Sequence, residues 1–170
     1  MKPPTSTPAY SVVAGPTTGG FVTFTVIAAV VAAVAAYTST ALGLQAWVMF
    51  AGWVAWFSRP ASARQGVHAV VCLWLGMALA VLGHGIVELA APFAGAAALP
   101  LAVLVLASVV VGLRATPVLD NMLAWFVGLV TFFAAEPEPV LPGLVTLIAG
   151  SALGAFAGFA CQRLQHRFAT

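Results

Sequence analysis

Charged residues are the scarcest component of this sequence. They make up 6% of its 170 residues, whereas an ordinary soluble domain carries about 25%. A chain with so few charges does not present the polar surface that a water-soluble domain needs, which excludes the soluble classes of protein. The net charge of +2 is also too weak for a basic patch, so we expect no nucleic-acid partner.

Residues that carry enzyme chemistry are equally sparse. The two cysteines, Cys72 and Cys161, stand alone, without a CxxC or Cys/His ligand spacing. The three histidines, His68, His84 and His166, are too scattered for a metal cage. There is no phosphate-binding glycine loop and no nucleophile elbow. We therefore predict a protein that is not an enzyme and that has no catalytic residues, metal or cofactor.

What the sequence does contain is long apolar runs. Apolar residues make up 62% of the chain, and a helix needs about 20 of them to cross a bilayer. The runs are unbroken and rich in Ala, Leu and Val, which is typical of helices and not of membrane strands. They cover approximately residues 21–37, 41–57, 67–90, 97–113, 118–134 and 140–162. The sequence therefore predicts an all-α integral membrane protein with six transmembrane helices in the lipid bilayer.

These runs divide the chain into three segments. Residues 1–20 are rich in Pro, Thr and Gly and predict a flexible cytoplasmic tail. Residues 21–163 are predicted to form a single six-helix transmembrane domain. Residues 164–170 then form a short basic tail, and both termini are cytoplasmic.

The distribution of charge determines this orientation. With six helices and a cytoplasmic N-terminus, every basic residue falls in a cytoplasmic segment, as the positive-inside rule requires. These residues are Lys2, Arg59, Arg64, Arg114, Arg163 and Arg167. Glu88, Glu136 and Glu138 fall on the outer side, and Asp120 alone joins the basic residues inside.

The chain also contains an internal repeat. Residues 40–57 align with residues 116–133 without a gap. The matched pairs are Thr40 with Thr116, Gln45 with Asn121, Phe50 with Phe126, Gly52 with Gly128, Val54 with Val130 and Phe57 with Phe133. After a two-residue shift, Gly76 aligns with Gly150. Because the repeating unit has three helices, the second copy is inverted, and the sequence predicts an inverted 3+3 repeat with a functional path where the halves meet.

Small residues recur at a four-residue spacing on two of the predicted helices. Gly150, Gly154 and Gly158 form a stripe that another helix can approach closely. Gly76 and Ala80 form a shorter version. The stripes pack helices within the subunit or between subunits, or line a path. A chain this small has few helices with which to enclose a wide path, so we expect a homo-oligomer.

Aromatic side chains share one face in each copy of the repeat. Phe50, Trp53 or Val54, and Phe57 lie on one face of the second helix, and the fifth helix repeats the spacing. The residues of that second face are Phe126, Val130 and Phe133. We predict that the rings form two constrictions for small uncharged solutes. The alternative is that they face lipid or pack in the core, with Trp47 and Trp56 at the membrane interfaces.

His84 and Glu88 form an ionisable pair near the outer end of the third helix. They are four residues apart, so their side chains can meet. Ionisable residues in a membrane segment are costly, which makes a proton-carrying or pH-sensing role one interpretation. In the other, Glu88 reaches interfacial water and His84 bonds to the backbone.

A family resemblance follows from three stretches of the sequence. They are "LGLQAWVMFAGWVAWFSRP" followed by "QG", then "FVGLVTFFA", and then "LPGLVTLIAGSALGAFAGF". Together they resemble small bacterial inner-membrane proteins grouped as domain-of-unknown-function family 1097, over roughly residues 21–163. The resemblance implies a multi-pass protein of the bacterial inner (cytoplasmic) membrane and no mechanism.

Three functions fit these observations. The first is a channel or facilitator for a small neutral or weakly acidic solute, with the aromatic residues as constrictions. The second is a proton-coupled secondary transporter that uses His84 and Glu88. The third is a membrane subunit or assembly protein that does not transport and whose glycine stripes bind other proteins.

Overall fold

A computed structural model describes residues 18–59 and 62–168 of the chain. The helices are α1 (Thr18–Ala41), α2 (Ala46–Phe57), α3 (Ala63–Ala94), α4 (Ala98–Leu113), α5 (Met122–Ala135) and α6 (Val140–Phe168). A single 3₁₀ turn, Gly95–Ala97, joins α3 to α4. These two ranges contain no β-strand, which confirms the all-helical prediction for them.

Two of the predicted segment boundaries differ from the structure. Helix α1 begins at Thr18, three residues before the predicted start, and residues 1–17 of the predicted tail lie outside the described residues. Helix α6 continues to Phe168, through most of the segment predicted as a basic tail.

The helices begin and end at residues whose local chemistry suits those positions. The Ser62 hydroxyl caps α3 by accepting a hydrogen bond from the Gln65 backbone N–H at 3.2 Å. The Asn121 side chain caps α5 in the same way, accepting from the Ala124 N–H at 3.2 Å. Gly43 lies just beyond α1 with a φ of 70°, a left-handed conformation that favours glycine and ends the helix.

The helices differ in whether they are long enough to cross a membrane. Three helical segments have the length and apolar composition for it: Gly19–Ala41, Ala63–Leu113 and Val140–Phe168. The second of these contains both α3 and α4, which turn back on each other at Gly95. Helices α2 and α5 have 12 and 14 residues, or about 18 and 21 Å at 1.5 Å per residue. The apolar runs predicted at 41–57 and 118–134 are therefore helical only in their later parts.

Packing divides the helices into two groups. Helix α2 packs most extensively on α6, which also packs against α1. Helix α5 packs most extensively on α3, which also packs against α4. We call α1, α2 and α6 the first body, and α3, α4 and α5 the second body. The bodies meet where α2 and α6 contact α3 and α5.

Glycine allows the close approach inside each body. In the first body, a methyl group at Gly52 would overlap the Ser151 carbonyl, and one at Gly154 would overlap the Met49 carbonyl. Such contacts bring the backbones of α2 and α6 together, which side chains would prevent.

The second body has an equivalent crossing of α3 and α5. A methyl group at Gly76 would overlap the Trp125 carbonyl, and one at Gly128 would overlap the Leu73 carbonyl. Gly154 therefore holds the place on α6 that Gly76 holds on α3. The sequence alignment of Gly76 with Gly150 was wrong by one helical turn, because several small residues recur at the same spacing on α6.

The two ends of the molecule carry opposite charge. Arg59 at the end of α2 pairs with Asp120 just before α5. The Gln165 amide, near the end of α6, donates to the Phe24 carbonyl near the start of α1 at 3.3 Å. We call this the basic end, because it carries Arg59, Arg64, Arg114, Arg163 and Arg167. The acidic end carries Glu88, Glu136 and Glu138.

Candidate functional site

A cavity of about 300 Å³ opens at the acidic end, between the two bodies. Its walls come from the start of α2, the end of α5, the connection from α5 to α6, and α6 itself. The polar residues that line it are Gln45, Glu136, Glu138 and Thr146. The other lining residues are Val48, Ala135, Pro137, Gly143 and Leu147. We call it the junction cavity, and its mixed lining can hold a small solute with both apolar and polar surface.

A second cavity, of about 240 Å³, lies beside the first in the second body. We call it the His84 cavity. Phe132 and Phe133 form part of its wall, and Glu136 and Glu138 line it as well as the junction cavity. The connection from α5 to α6 therefore separates two adjacent polar cavities at one end of the molecule.

The structure brings His84 and Glu88 together, as their spacing predicts. The His84 Nδ1 lies 3.6 Å from the Glu88 Oε1, and the two side chains are 42% and 69% exposed. The His84 ring also meets the buried Phe132 ring edge to face, with 6.5 Å between centroids. His84 thus borders the cavity, whereas Glu88 lies beside it and faces outward.

The basic end of the same junction has a polar contact network instead of a cavity. The Arg59 guanidinium forms an ion pair with the Asp120 carboxylate. The Asn121 amide donates a hydrogen bond to the Ser58 hydroxyl at 2.6 Å, and that hydroxyl donates to the Ala55 carbonyl at 2.7 Å. We call Ser58, Arg59, Asp120 and Asn121 the polar latch, because they join α2 of the first body to α5 of the second.

The residues that the sequence alignment pairs with the polar latch differ from it in chemistry. In the alignment that matches Gln45 with Asn121, the positions equivalent to the polar latch are Leu44, Gln45, Ala134 and Ala135. None of these side chains carries a charge. Gln45 and Ala135 line the junction cavity. At one end of the α2–α5 contact these paired positions form the polar latch, and at the other end two of them line a cavity.

Between the two ends, the junction is packed and mostly apolar. The main core cluster is built from buried residues of α2, α3, α4, α5 and α6, among them Leu73, Met77 and Phe132. One polar contact crosses it, because the Trp74 indole N–H donates to the Ser151 hydroxyl at 3.1 Å. The junction cavity is therefore closed off from the basic end.

The predicted constriction residues do not lie at this junction. Phe50 and Phe57 are each 42% exposed, and Val130 is 63% exposed. Phe126, Val130 and Phe133 line an apolar groove of about 420 Å³ between α4 and α5 on the outer surface. The two aromatic faces therefore do not enclose a passage within a single copy of the chain, and of these residues Phe133 also borders the His84 cavity.

Trp53 and the small-residue positions have packing contacts inside the chain. The Trp53 ring lies 5.7 Å from the Phe57 ring and packs against the small cluster that joins α2 to α1 and α6. A methyl group at Gly150 would lie 3.1 Å from Val48, and one at Gly158 would lie 3.1 Å from Trp56. The stripe on α6 thus faces α2. Ala80 on α3 is fully buried.

Sequence reasoning missed the inward-facing aromatic residues. Trp56 and Phe132, which the repeat aligns, are both buried. Each meets a polar side chain of a long helix: Trp56 donates its indole N–H to Gln162 at 2.9 Å, and Phe132 contacts His84. The repeat could have identified them, because Trp56 directly precedes Phe57 and Phe132 directly precedes Phe133.

Metal binding has no candidate in the described part of the chain. Within residues 18–59 and 62–168, no group of three or more His, Cys, Asp or Glu side chains lies close enough to share an ion.

The chain belongs to the family described as "Protein of unknown function (DUF1097)", whose family model matches residues 25–166. This match confirms the resemblance seen in the sequence motifs. No curated protein and no solved structure shows significant similarity to the chain. It is a helical membrane protein of an uncharacterised family, so its function has to be inferred from the junction between the two bodies.

Proposed function

We propose that this protein moves a small neutral solute, or a weak acid in its neutral form, across the bacterial inner membrane along the junction between the two bodies. One observation carries the proposal. The junction has a polar cavity at the acidic end, packed and mostly apolar side chains in the middle, and the polar latch at the basic end. A path that is open at one end and closed by breakable contacts at the other is what a gated channel or a transporter needs.

The proposed topology is six transmembrane helices in an inverted 3+3 repeat with both termini cytoplasmic. It is supported by the equivalent positions of Gln45 and Asn121, each at the residue before its short helix. Gly52 and Gly128, also aligned, each meet a backbone carbonyl of a long helix. Short helices next to non-helical segments are common at the repeat interface of transporters, where the substrate binds.

The charge at the acidic end supports the proposed class of solute. Glu136 and Glu138 line both cavities, and Glu88 lies beside them. Carboxylates at an entrance repel anions, so a weak acid enters in its neutral form. The Gln45 amide and the Thr146 hydroxyl offer hydrogen bonds to an uncharged polar group.

A bulky side chain in the junction cavity tests the proposal. Ala135 lines this cavity, whereas its neighbour Ala134 lines the apolar groove on the outer surface. In liposomes, we expect Ala135→Trp to reduce stopped-flow swelling with glycerol, urea or acetic acid at least tenfold. Ala134→Trp should keep the rate of the unmodified protein.

Two results would contradict the proposal. Equal rates for the two tryptophan variants would mean that the solute does not pass the junction cavity. Swelling no faster than that of protein-free liposomes, for every solute, would favour the third function, a subunit that does not transport.

The aromatic constrictions belong to an alternative path, which would lie between protomers. Phe50, Phe57 and Val130 face outward, so rings from neighbouring copies could enclose a shared path in a homo-oligomer. Such a path would run outside the junction, and closing the junction would leave its flux unchanged.

A proton-coupled transporter is the second candidate, and the position of His84 favours it. His84 lines the His84 cavity, together with Glu136 and Glu138. Glu88 lies beside His84 at the same end of the molecule. A histidine changes its charge in the physiological pH range and can pass a proton to a carboxylate within reach. In the same liposomes, accumulation of solute driven by a pH gradient, and lost in His84→Gln, would favour this candidate over the passive channel.

A further inference from the structure

The two bodies also border a groove on the lateral surface of the molecule, away from its two ends. It is an apolar groove of about 420 Å³ between α3 and α6. The wall from α3 includes Val67 and Val71, and the wall from α6 includes Ala152 and Phe156. Trp56 and Trp74 form part of the lining.

The groove offers no hydrogen bonds to an occupant, although two tryptophans line it. The Trp56 indole N–H donates to the Gln162 side chain at 2.9 Å. The Trp74 indole N–H donates to the Ser151 hydroxyl at 3.1 Å. Both polar groups are therefore satisfied inside the protein, and only their ring surfaces remain for contact. An occupant of this groove has to be apolar along its length.

Positive charge lies at the basic end of the groove. Phe159 lines the groove there, and the Arg163 guanidinium lies over its ring, 5.0 Å from the centroid. The face of an aromatic ring attracts a cation that lies over it in this way. On the opposite wall, Ala63 lines the groove, and the next residue is the exposed Arg64.

We propose that this groove binds an anionic phospholipid, with an acyl chain along α3 and α6 and the headgroup at Arg163 and Arg64. Basic pockets between membrane helices are known to bind anionic headgroups. Acyl chains are as apolar as the groove, so burial in it gives little preference for one lipid over another. Selectivity for anionic lipid therefore comes from the arginines. The bound lipid contacts both bodies at once.

The test is native mass spectrometry of the purified protein with phosphatidylglycerol and with phosphatidylcholine of identical acyl chains. We expect the unmodified protein to bind phosphatidylglycerol more tightly. Arg163→Gln should weaken that binding about fivefold, as expected for one cation at a membrane surface, and leave phosphatidylcholine unaffected. Arg167→Gln is the matched control, because its guanidinium lies 5.5 Å over the Phe168 ring, which does not line the groove.

A second pair of variants tests the groove itself. Ala152→Phe fills it and should remove the tightest-bound lipid, whereas Ala33→Phe, at an exposed position of α1, which contributes no residue to the groove, should not. Thermal unfolding of both variants checks that they fold. Equal affinity for the two lipids in the unmodified protein, or equal effects of Arg163→Gln and Arg167→Gln, would overturn the proposal. A change of oligomeric mass in Ala152→Phe with unchanged lipid binding would identify the occupant as a second copy of the chain instead.

Discussion

The absence of a side chain at Gly154 allows α6 to pack directly against the backbone of α2. A Cβ atom at this position would overlap the Met49 carbonyl and would lie 3.0 Å from the backbone nitrogen of Trp53. Both obstacles are helix backbone, which cannot move aside as a flexible side chain can. Other helical glycines have open space around them, for example Gly85 on α3.

We predict that Gly154→Ala destabilises the protein and that Gly85→Ala does not. Forcing one methyl group into a packed contact costs about 1–3 kcal/mol, whereas alanine favours an open helix position by up to about 1 kcal/mol over glycine. Thermal unfolding in detergent measures both variants. A melting temperature of Gly154→Ala at or above that of the unmodified protein would show that α2 and α6 do not meet at this glycine.

At the level of helices, α2 and α5 are the elements that the sequence describes least well. Their apolar runs are of spanning length in the sequence, yet each helix begins only after a non-helical stretch, at Ala46 and Met122. The left-handed Gly43 and the cap at Asn121 mark these starts. Hydropathy averaged over a whole segment does not register such local signals, because most of the surrounding residues are apolar.

The proposed topology places the ends of α2 and α5 on opposite sides of the membrane, and this can be tested directly. In a background without Cys72 and Cys161, Ser62→Cys and Glu138→Cys introduce one exposed thiol each, after α2 and after α5. The inverted arrangement puts the two residues on opposite sides. We expect a membrane-impermeant maleimide to label Glu138→Cys in intact cells, and Ser62→Cys only after the cells are opened. Labelling of both from outside would exclude this arrangement.

The helices themselves could be predicted from the sequence more fully than the way in which they pack against each other. The four-residue spacing of Gly150, Gly154 and Gly158 predicts a packing face, and that face contacts α2 in the structure. The repeat, however, predicts halves of three consecutive helices, whereas packing groups α6 with α1 and α2. Spacing along one helix shows which face is flat and gives no information about which helix will cover it.

The same reason explains the incomplete prediction of the site. His84 and Glu88 are four residues apart, so their contact could be predicted from helix geometry. Arg59 and Asp120 lie in different loops and meet only because α2 and α5 pack against each other. The exposure of Phe50 and Phe57 depends in the same way on where the neighbouring helices are.

For the whole molecule, the central question is how two tightly packed bodies could open a path. Within each body, glycine brings helix backbones into contact, so the helices of each body are closely packed. Between the bodies at the basic end, the polar contacts are the ion pair of Arg59 and Asp120 and one hydrogen bond, beside an apolar cluster of Trp56, Val70 and Ala155. These side chains are 19% and 39% exposed, and a partly exposed ion pair contributes only about 0–1 kcal/mol. Breaking the polar latch therefore costs less free energy than separating the helices within either body.

A reversible covalent bond across the polar latch tests whether its opening is needed for transport. We predict that Arg59→Cys with Asp120→Cys, in the background without Cys72 and Cys161, transports at least as fast as that background before cross-linking, because the ion pair is gone. A short, reducible thiol cross-linker should then lower liposome flux at least tenfold, and dithiothreitol should restore it. Each single-cysteine variant, treated identically, controls for modification alone. Full cross-linking with unchanged flux would mean that the solute does not pass between the bodies, which would leave the aromatic faces between protomers as the path.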